Sequence, residues 1–147
     1  IQIFLHMDPN QKVSLLKKTD IFRNTPEEDL VAIADILQEL SLKPGDAIFA
    51  KGDIGDCMYI IEKGSIRIHD GAYTFAFLKE NEVFGELSLL DAETRSASAT
   101  CDQESIILKL EQPPFYDILS KDQEVLKGIL KMLCRRIRVL DEQSARQ

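Results

Sequence analysis

The stretch Phe84-Gly85-Glu86-Leu87-Ser88-Leu89-Leu90-Asp91-Ala92-Glu93-Thr94-Arg95-Ser96-Ala97 decides how this chain is read. It sets one carboxylate, Glu86, and one guanidinium, Arg95, about ten residues apart around a glycine turn. Gly85 lets the backbone take positive φ or approach a ligand closely, and the amides that follow can converge into an anion-binding concavity. The planar fork of Arg95 matches phosphate oxygens in a way that lysine cannot. Glu86, an acceptor-only group, suits a sugar hydroxyl rather than the phosphate itself. The residue types point to a phosphorylated sugar as ligand.

Outward from this segment the hydrophobic period changes twice. Residues 10–21 and 26–40 read as helices: Val13, Leu15 and Leu16 form one apolar edge, and Leu30, Ile33, Ala34 and Leu37 recur at helical spacing. Thr25 is the expected N-cap of the second, with Pro26 at its first position and Glu27, Glu28 and Asp29 at the positive end of its dipole. From Leu40 to Glu111 the pattern becomes short apolar runs broken by Gly and Asp. Residues 48–50, 58–61, 66–68, 74–78, 97–101 and 106–110 have the length and composition of strands in a β-roll. Asp70-Gly71 is a hairpin signal. Asn81 is expected in the left-handed conformation, and Gly45, Gly52 and Gly64 are read as turn residues without ligand contact.

The strand pattern stops at Pro113-Pro114, and the rest is helical. Phe115–Leu119 reads as a short helix, and Ser120 or Asp122 as the cap of the next. In that last helix Leu126, Leu130, Leu133, Ile137, Leu140 and Ser144 recur in alternating steps of four and three, a heptad-like seam, and Val125, Ile129 and Met132 form a second apolar edge. Two readings stand: a docked C-terminal helix, or a lid or dimerisation helix over residues 122–144. The fold class expected is α+β, a β-roll or jelly-roll barrel over 40–111, flanked by helices at 10–40 and 113–145 in one domain of residues 10–147. Ile1 to His6 precede Met7 without a signal-peptide pattern, so residues 1–9 are set aside as a tag or linker.

Composition restricts the alternatives. The chain has 147 residues, 44% of them hydrophobic and 29% charged, a globular balance with no apolar run near the ~20 residues a spanning helix needs. Cys57, Cys101 and Cys134 are odd in number and widely spread, which suggests neither a disulfide framework nor a metal cluster and fits a reducing cytoplasm. Net charge is −7, yet residues 121–147 carry 7 basic and 4 acidic side chains against 11 and 21 in the remainder. A basic helix on an acidic body is read first as a solvated complementary face; DNA contact through Lys131, Arg135, Arg136 and Arg138 is the lesser reading. No catalytic constellation surrounds His6, His69 or any Cys or Ser, so the chain does not read as an enzyme.

Residues 84–89 followed by Arg95-Ser96-Ala97 resemble the phosphate-binding cassette of cyclic nucleotide-binding domains. Lys43–Asp46, Lys51–Asp56 and Tyr59–Ser65 are similar to the glycine-punctuated strands of the same family, so the likeness spans roughly residues 20–140. The resemblance implies cAMP or cGMP as an allosteric ligand, with cAMP favoured. It implies that Glu86 accepts from the ribose 2′-hydroxyl, that Arg95 pairs with the cyclic phosphate, and that Gly85, Leu87, Ser88 and Ser96 add amide donors beside Ala97. Ser88 stands where the family commonly carries Ala or Gly. Ile68, Ala76 and Leu78 would line the purine side, Leu140 and Asp141 would reach the base from the last helix, and Arg136 is a candidate partner of Glu86. The implied role is a sensor whose output lies in an effector domain or larger protein beyond this chain. A non-binding dimerisation module with the same fold, or a transcription regulator lacking its DNA-binding part, are the alternatives.

Overall fold

The computed structural model describes residues 1–3 and 6–146 and divides into two compact units: residues 1–7 with 36–115, and residues 8–35 with 116–147. The first is an antiparallel β-roll and the second is helical, the α+β architecture expected of a roll with flanking helices.

In the roll, β1 (Gln2–Ile3), β2 (Gln38–Leu42), β3 (Ala47–Phe49), β5 (Cys57–Asp70), β6 (Tyr73–Leu78), β7 (Val83–Phe84) and β9 (Ser98–Glu111) form one sheet in the order β1-β2-β9-β5-β6. β3 joins it on β9, and β7 on β5. A second, two-stranded sheet pairs β4 (Ile54–Gly55) with β8 (Glu93–Thr94). The core packs Leu42, Tyr59, Ile61, Ile66, Phe84, Ala99 and Ile107, with Leu40, Ile48, Phe49, Ile68 and Leu78 half-buried against them.

The four runs expected at 58–61, 66–68, 97–101 and 106–110 are two long strands, β5 and β9, of 14 residues each. What reads as breaks in the sequence are register shifts between Ile61 and Ile66 rather than turns. Gly64 has φ 105°, and a Cβ there would lie 2.1 Å from Ser105 Oγ, so the bulge needs glycine for both conformation and space. Ser105 Oγ in turn accepts from the Ser65 amide at 3.0 Å. Asp70-Gly71 does turn β5 into β6, and Asn81 is left-handed at φ 69°.

The helix expected over 26–40 ends early. It runs as α2 (Glu27–Ile36), and Gln38–Leu42 is strand instead, paired residue for residue with β9 from Gln38↔Lys109 to Leu42↔Ser105. Leu37 and Leu40 continue the helical apolar spacing, but pairing with a distant strand overrides local periodicity. The carboxylate of Glu39 is fully buried, and it accepts from the His6 amide at 2.8 Å and the Met7 amide at 3.3 Å. The His6 ring bridges Glu39 and Glu62, 3.1 Å from each. Gln2 and Ile3 thus join the roll through β1, and His6 through this clasp.

In the helical unit, α1 (Pro9–Lys18) begins with a capping box between Asp8 and Gln11 and ends at Thr19, earlier than the expected residue 21. Thr25 does not cap α2. The Pro26 carbonyl accepts from the Asp29 and Leu30 amides, so Pro26 holds the cap position and the Thr25 hydroxyl is buried without a hydrogen-bond partner. Gly128 faces it; a Cβ there would lie 2.6 Å from that oxygen. Pro113 and Pro114 open α4 (Gln112–Lys121), which is longer than expected. Asp122 then caps α5 (Gln123–Ala145), accepting from the Glu124 and Val125 amides at 2.9 and 3.2 Å.

The two apolar edges of α5 have opposite fates. Val125, Ile129 and Met132 are buried, whereas Leu126, Leu130, Ile137 and Leu140 of the heptad seam are exposed. Asp20 receives Arg135 NH2 at 2.5 Å and Arg136 Nε at 3.0 Å. Burial opposes ionisation of Asp20, but the hydrogen bonds and charges of the two arginines prevail and hold its carboxyl below the ordinary range.

A hydrogen bond to Asp122, then desolvation and the charges of Asp122, Glu28 and Glu124, push the Asp29 carboxyl up to about 6. A raised carboxyl contributes stability below its unfolded value and loses it as pH rises through about 6. Asp29→Asn should therefore raise the melting temperature at pH 7 and flatten its fall between about pH 4 and 6, as read by circular dichroism; a variant melting lower than wild type at pH 7 would contradict this.

Candidate functional site

The site forms where three short elements meet the end of β5. Phe84, in β7, pairs with Tyr59 of β5. Gly85 follows with φ 79° and serves as N-cap of α3 (Glu86–Leu90). A five-residue helix lacks the length to show a period, so the sequence reads only as a turn here. Asp91 closes α3 by donating its amide to the Leu87 carbonyl at 2.8 Å, and Gln112 Nε2 donates to the Leu89 carbonyl at 2.9 Å. Glu86 is the half-buried first residue of α3, where a carboxylate complements the positive end of the helix. The amide of Ser88 is used inside the helix, donating to the Gly85 carbonyl at 3.1 Å. The amide of Leu87 lies in the first turn, ahead of any intrahelical acceptor.

Arg95 directly follows β8. Its amide donates to the Asp53 carbonyl at 2.7 Å, and its carbonyl accepts from the Gly52 amide at 2.8 Å. These bonds, with the β4–β8 pairing, fix its backbone beside Gly52 and Asp53. The side chain turns inward and is only 7% exposed. NH2 donates to the Cys57 carbonyl at 2.9 Å and approaches Cys57 Sγ at 3.4 Å. The guanidinium carbon stands 4.2 Å from the centre of the Phe49 ring. Phe49 itself belongs to an aromatic trio: Tyr59 and Phe84 stack 5.0 Å apart, and Phe49 is 6.0 Å from each. Burial first, and then the hydrogen bond with Cys57, push the Tyr59 hydroxyl well above its usual range, so it stays neutral.

Two glycines make room for this side chain. A Cβ on Gly55 would lie 2.2 Å from Arg95 Nε, and one on Gly85 would lie 2.6 Å from Arg95 NH1. Among the described residues no carboxylate stands within ion-pair distance of Arg95. Burying a charge without a counter-ion is costly, and burial strengthens its pull on any anion that arrives. The arrangement is a buried guanidinium on a neutral aromatic floor. Among the described residues no cluster of His, Cys, Asp or Glu is placed to hold a metal ion.

Of the residues read from sequence, the structure brings Gly85 and Arg95 into direct apposition. Ser96 is exposed and Ala97 half-buried, immediately beyond Arg95. Ile68 lies opposite Ala76, and Ile66 opposite Leu78, on the β5–β6 ladder. Ile68 and Leu78 pack against the core. Arg136, Leu140 and Asp141 belong to α5 in the helical unit, with Arg136 engaged by Asp20. Sequence reasoning missed Phe49, Gly55 and Cys57. Their only trace was the Lys51–Asp56 motif, which contains Gly55 but says nothing of Arg95.

The family model for the cyclic nucleotide-binding domain matches residues 39–122. The chain is 30% identical to the cyclic AMP receptor protein of Thermus thermophilus, over 86% of this chain and 61% of the relative. It is 30% identical to the human cyclic nucleotide-gated channel beta-3, over 99% of this chain but 18% of the channel. The chain thus spans less than two thirds of the curated relatives it matches. Among solved structures, the N-terminal domain of a transcriptional regulator from Streptomyces coelicolor superposes with a TM-score of 0.83 at 27% identity, covering 88% of this chain and 94% of that one. The matched region holds β2 to β9, both glycines of the Arg95 slot and the cassette that contains it, and the chain belongs to the cyclic nucleotide-binding domain family.

Proposed function

We propose that this chain is a regulatory sensor for a cyclic nucleotide, cAMP rather than cGMP, and that it binds without catalysing a reaction. The observation that carries the reading is the buried Arg95 guanidinium, which has a cation–π platform and a carbonyl anchor but no carboxylate partner among the described residues. A cyclic phosphate would supply the missing charge. Glu86, at the start of α3, would accept from the ribose 2′-hydroxyl, and the Leu87 amide would add a donor beside Gly85. Preference for cAMP draws on the cyclic AMP receptor among its relatives; purine selection would fall to Ile68, Ala76 and Leu78.

The exposed seam of α5 supports the second half of the proposal. Leu126, Leu130, Ile137 and Leu140 keep the 3.5-residue repeat that selects another helix as partner, and they face solvent. A second copy of the chain is the proposed occupant, and ligand binding would shift the population of α5 positions. A 100-fold preference for one position is worth about 2.7 kcal/mol. The output would lie in parts of a longer protein, and three free thiols fit a cytoplasmic setting.

Calorimetric titration should give micromolar or tighter binding of cAMP and weaker binding of cGMP. Arg95→Ala should weaken cAMP at least ~100-fold, since a charge-assisted pair is lost inside a buried site. Absence of heat with either nucleotide at millimolar concentration, or unchanged binding by Arg95→Ala, would defeat the reading. Sedimentation should show wild-type dimers that Leu130→Glu with Ile137→Glu converts to monomers; a monomeric wild type would remove the second copy from the account.

A further inference from the structure

The side chain of Arg95 is held between two glycines, an aromatic ring and a carbonyl. Its aliphatic stem and Nε lie over Gly55, where a Cβ would come within 2.7 Å of Cδ, 2.5 Å of Cζ and 2.2 Å of Nε. Its NH1 lies over Gly85. One face of the guanidinium rests on Phe49 at 4.2 Å, and NH2 is tied to the Cys57 carbonyl at 2.9 Å. The tie consumes donors of one nitrogen and leaves the Nε and NH1 sides of the fork directed along the two glycines.

We propose that Gly55, Phe49 and Cys57 are positioning residues that aim the Arg95 guanidinium at a ligand phosphate: the missing side chain at Gly55 opens the slot, the Phe49 ring sets its plane, and the Cys57 carbonyl sets its rotation. This rests on the nucleotide reading given above. The geometry also explains why Gly55 is glycine. It is not among the glycines with positive φ, so its backbone would accept alanine, and the three nearest atoms that a Cβ would meet all belong to the Arg95 side chain. The demand for glycine here comes from the arginine rather than from the chain. Gly85 differs, since its positive φ and a Cys57 carbonyl 3.0 Å from an added Cβ make it a backbone requirement as well.

Guanidinium planes stack favourably on aromatic faces and keep their full set of in-plane donors when they do. Phe49 therefore orients Arg95 without competing with an anion for hydrogen bonds, as a carboxylate partner would. A side chain held in advance loses little freedom when the ligand arrives, which raises affinity through preorganisation.

The test compares Gly55→Ala, Phe49→Leu and Phe49→Tyr with wild type, using cAMP and, as a probe without phosphate, adenosine. Gly55→Ala should fold with an unchanged melting temperature within a few degrees, lose ~10-fold or more in cAMP affinity, and leave adenosine binding as it was. In an Arg95→Ala background it should cost less than about 2-fold, because the two residues act as one unit. Phe49→Leu should lose cAMP affinity and Phe49→Tyr should retain it. The Arg95 Nε–H resonance in a 15N-edited spectrum, shifted by the Phe49 ring, should move in Gly55→Ala and Phe49→Leu. Wild-type cAMP binding by Gly55→Ala and Phe49→Leu, equal losses of cAMP and adenosine, or an undiminished Gly55→Ala effect without Arg95 would each overturn the proposal. Should wild type bind no nucleotide, the ligand reading fails, and the Nε–H resonance alone decides the slot: movement in both variants upholds it and no movement overturns it.

Discussion

The arrangement of the roll around the cassette is constrained by one largely buried charge. Arg95 carries its guanidinium into the roll against Phe49, over Gly55 and Gly85, and onto the Cys57 carbonyl. An isolated buried cation is among the costlier things a protein can hold, and these contacts offset the cost only in part. Cation–π contact returns about 0.5–2 kcal/mol, and one charge-assisted hydrogen bond to a carbonyl returns a similar amount. Several features of the roll follow from accommodating this residue. The β4–β8 pair locks its backbone, the β5–β7 pair brings Phe84 and Gly85 beside it, and the stacked Tyr59 and Phe84 support the ring beneath it. On the proposed reading, an anion from outside the chain would complete the balance.

How much of this was legible in the sequence depended on distance along the chain. Gly85, Glu86 and Arg95 could be read together because the cassette is local and its spacing specific. Turn residues were equally readable: Gly45, Gly52 and Asn81 all take positive φ in turns. The floor of the site was not readable, because Cys57 meets Arg95 from 38 residues away and Phe49 from farther still. Nothing in a Phe within an apolar run distinguishes a core ring from a platform for a cation. The same limit explains β2, whose Leu40 fits a helical period but whose backbone pairs with β9.

Bulges and buried polar groups were the other source of misreading. Gly64 and the residues near it look like a turn between two strands, yet they bend one strand while the ladder with β9 continues. Thr25 has the side chain of an N-cap, but the Pro26 carbonyl holds that position and the hydroxyl faces Gly128. On α5 the periodicity was right and its meaning divided. The shorter edge, Val125, Ile129 and Met132, is buried, while most of the longer heptad seam is exposed. A seam left outside is what a helix with a further partner presents.

The central claim is that Arg95 is held at a cost which a bound nucleotide relieves. It is tested most directly by the stability of Arg95→Met, an uncharged side chain of similar reach, measured by chemical denaturation with and without saturating cAMP. The account predicts a variant at least as stable as wild type without ligand, and no stabilisation by the nucleotide where wild type shows a clear rise. A variant that is less stable without ligand and still gains stability from cAMP would contradict it.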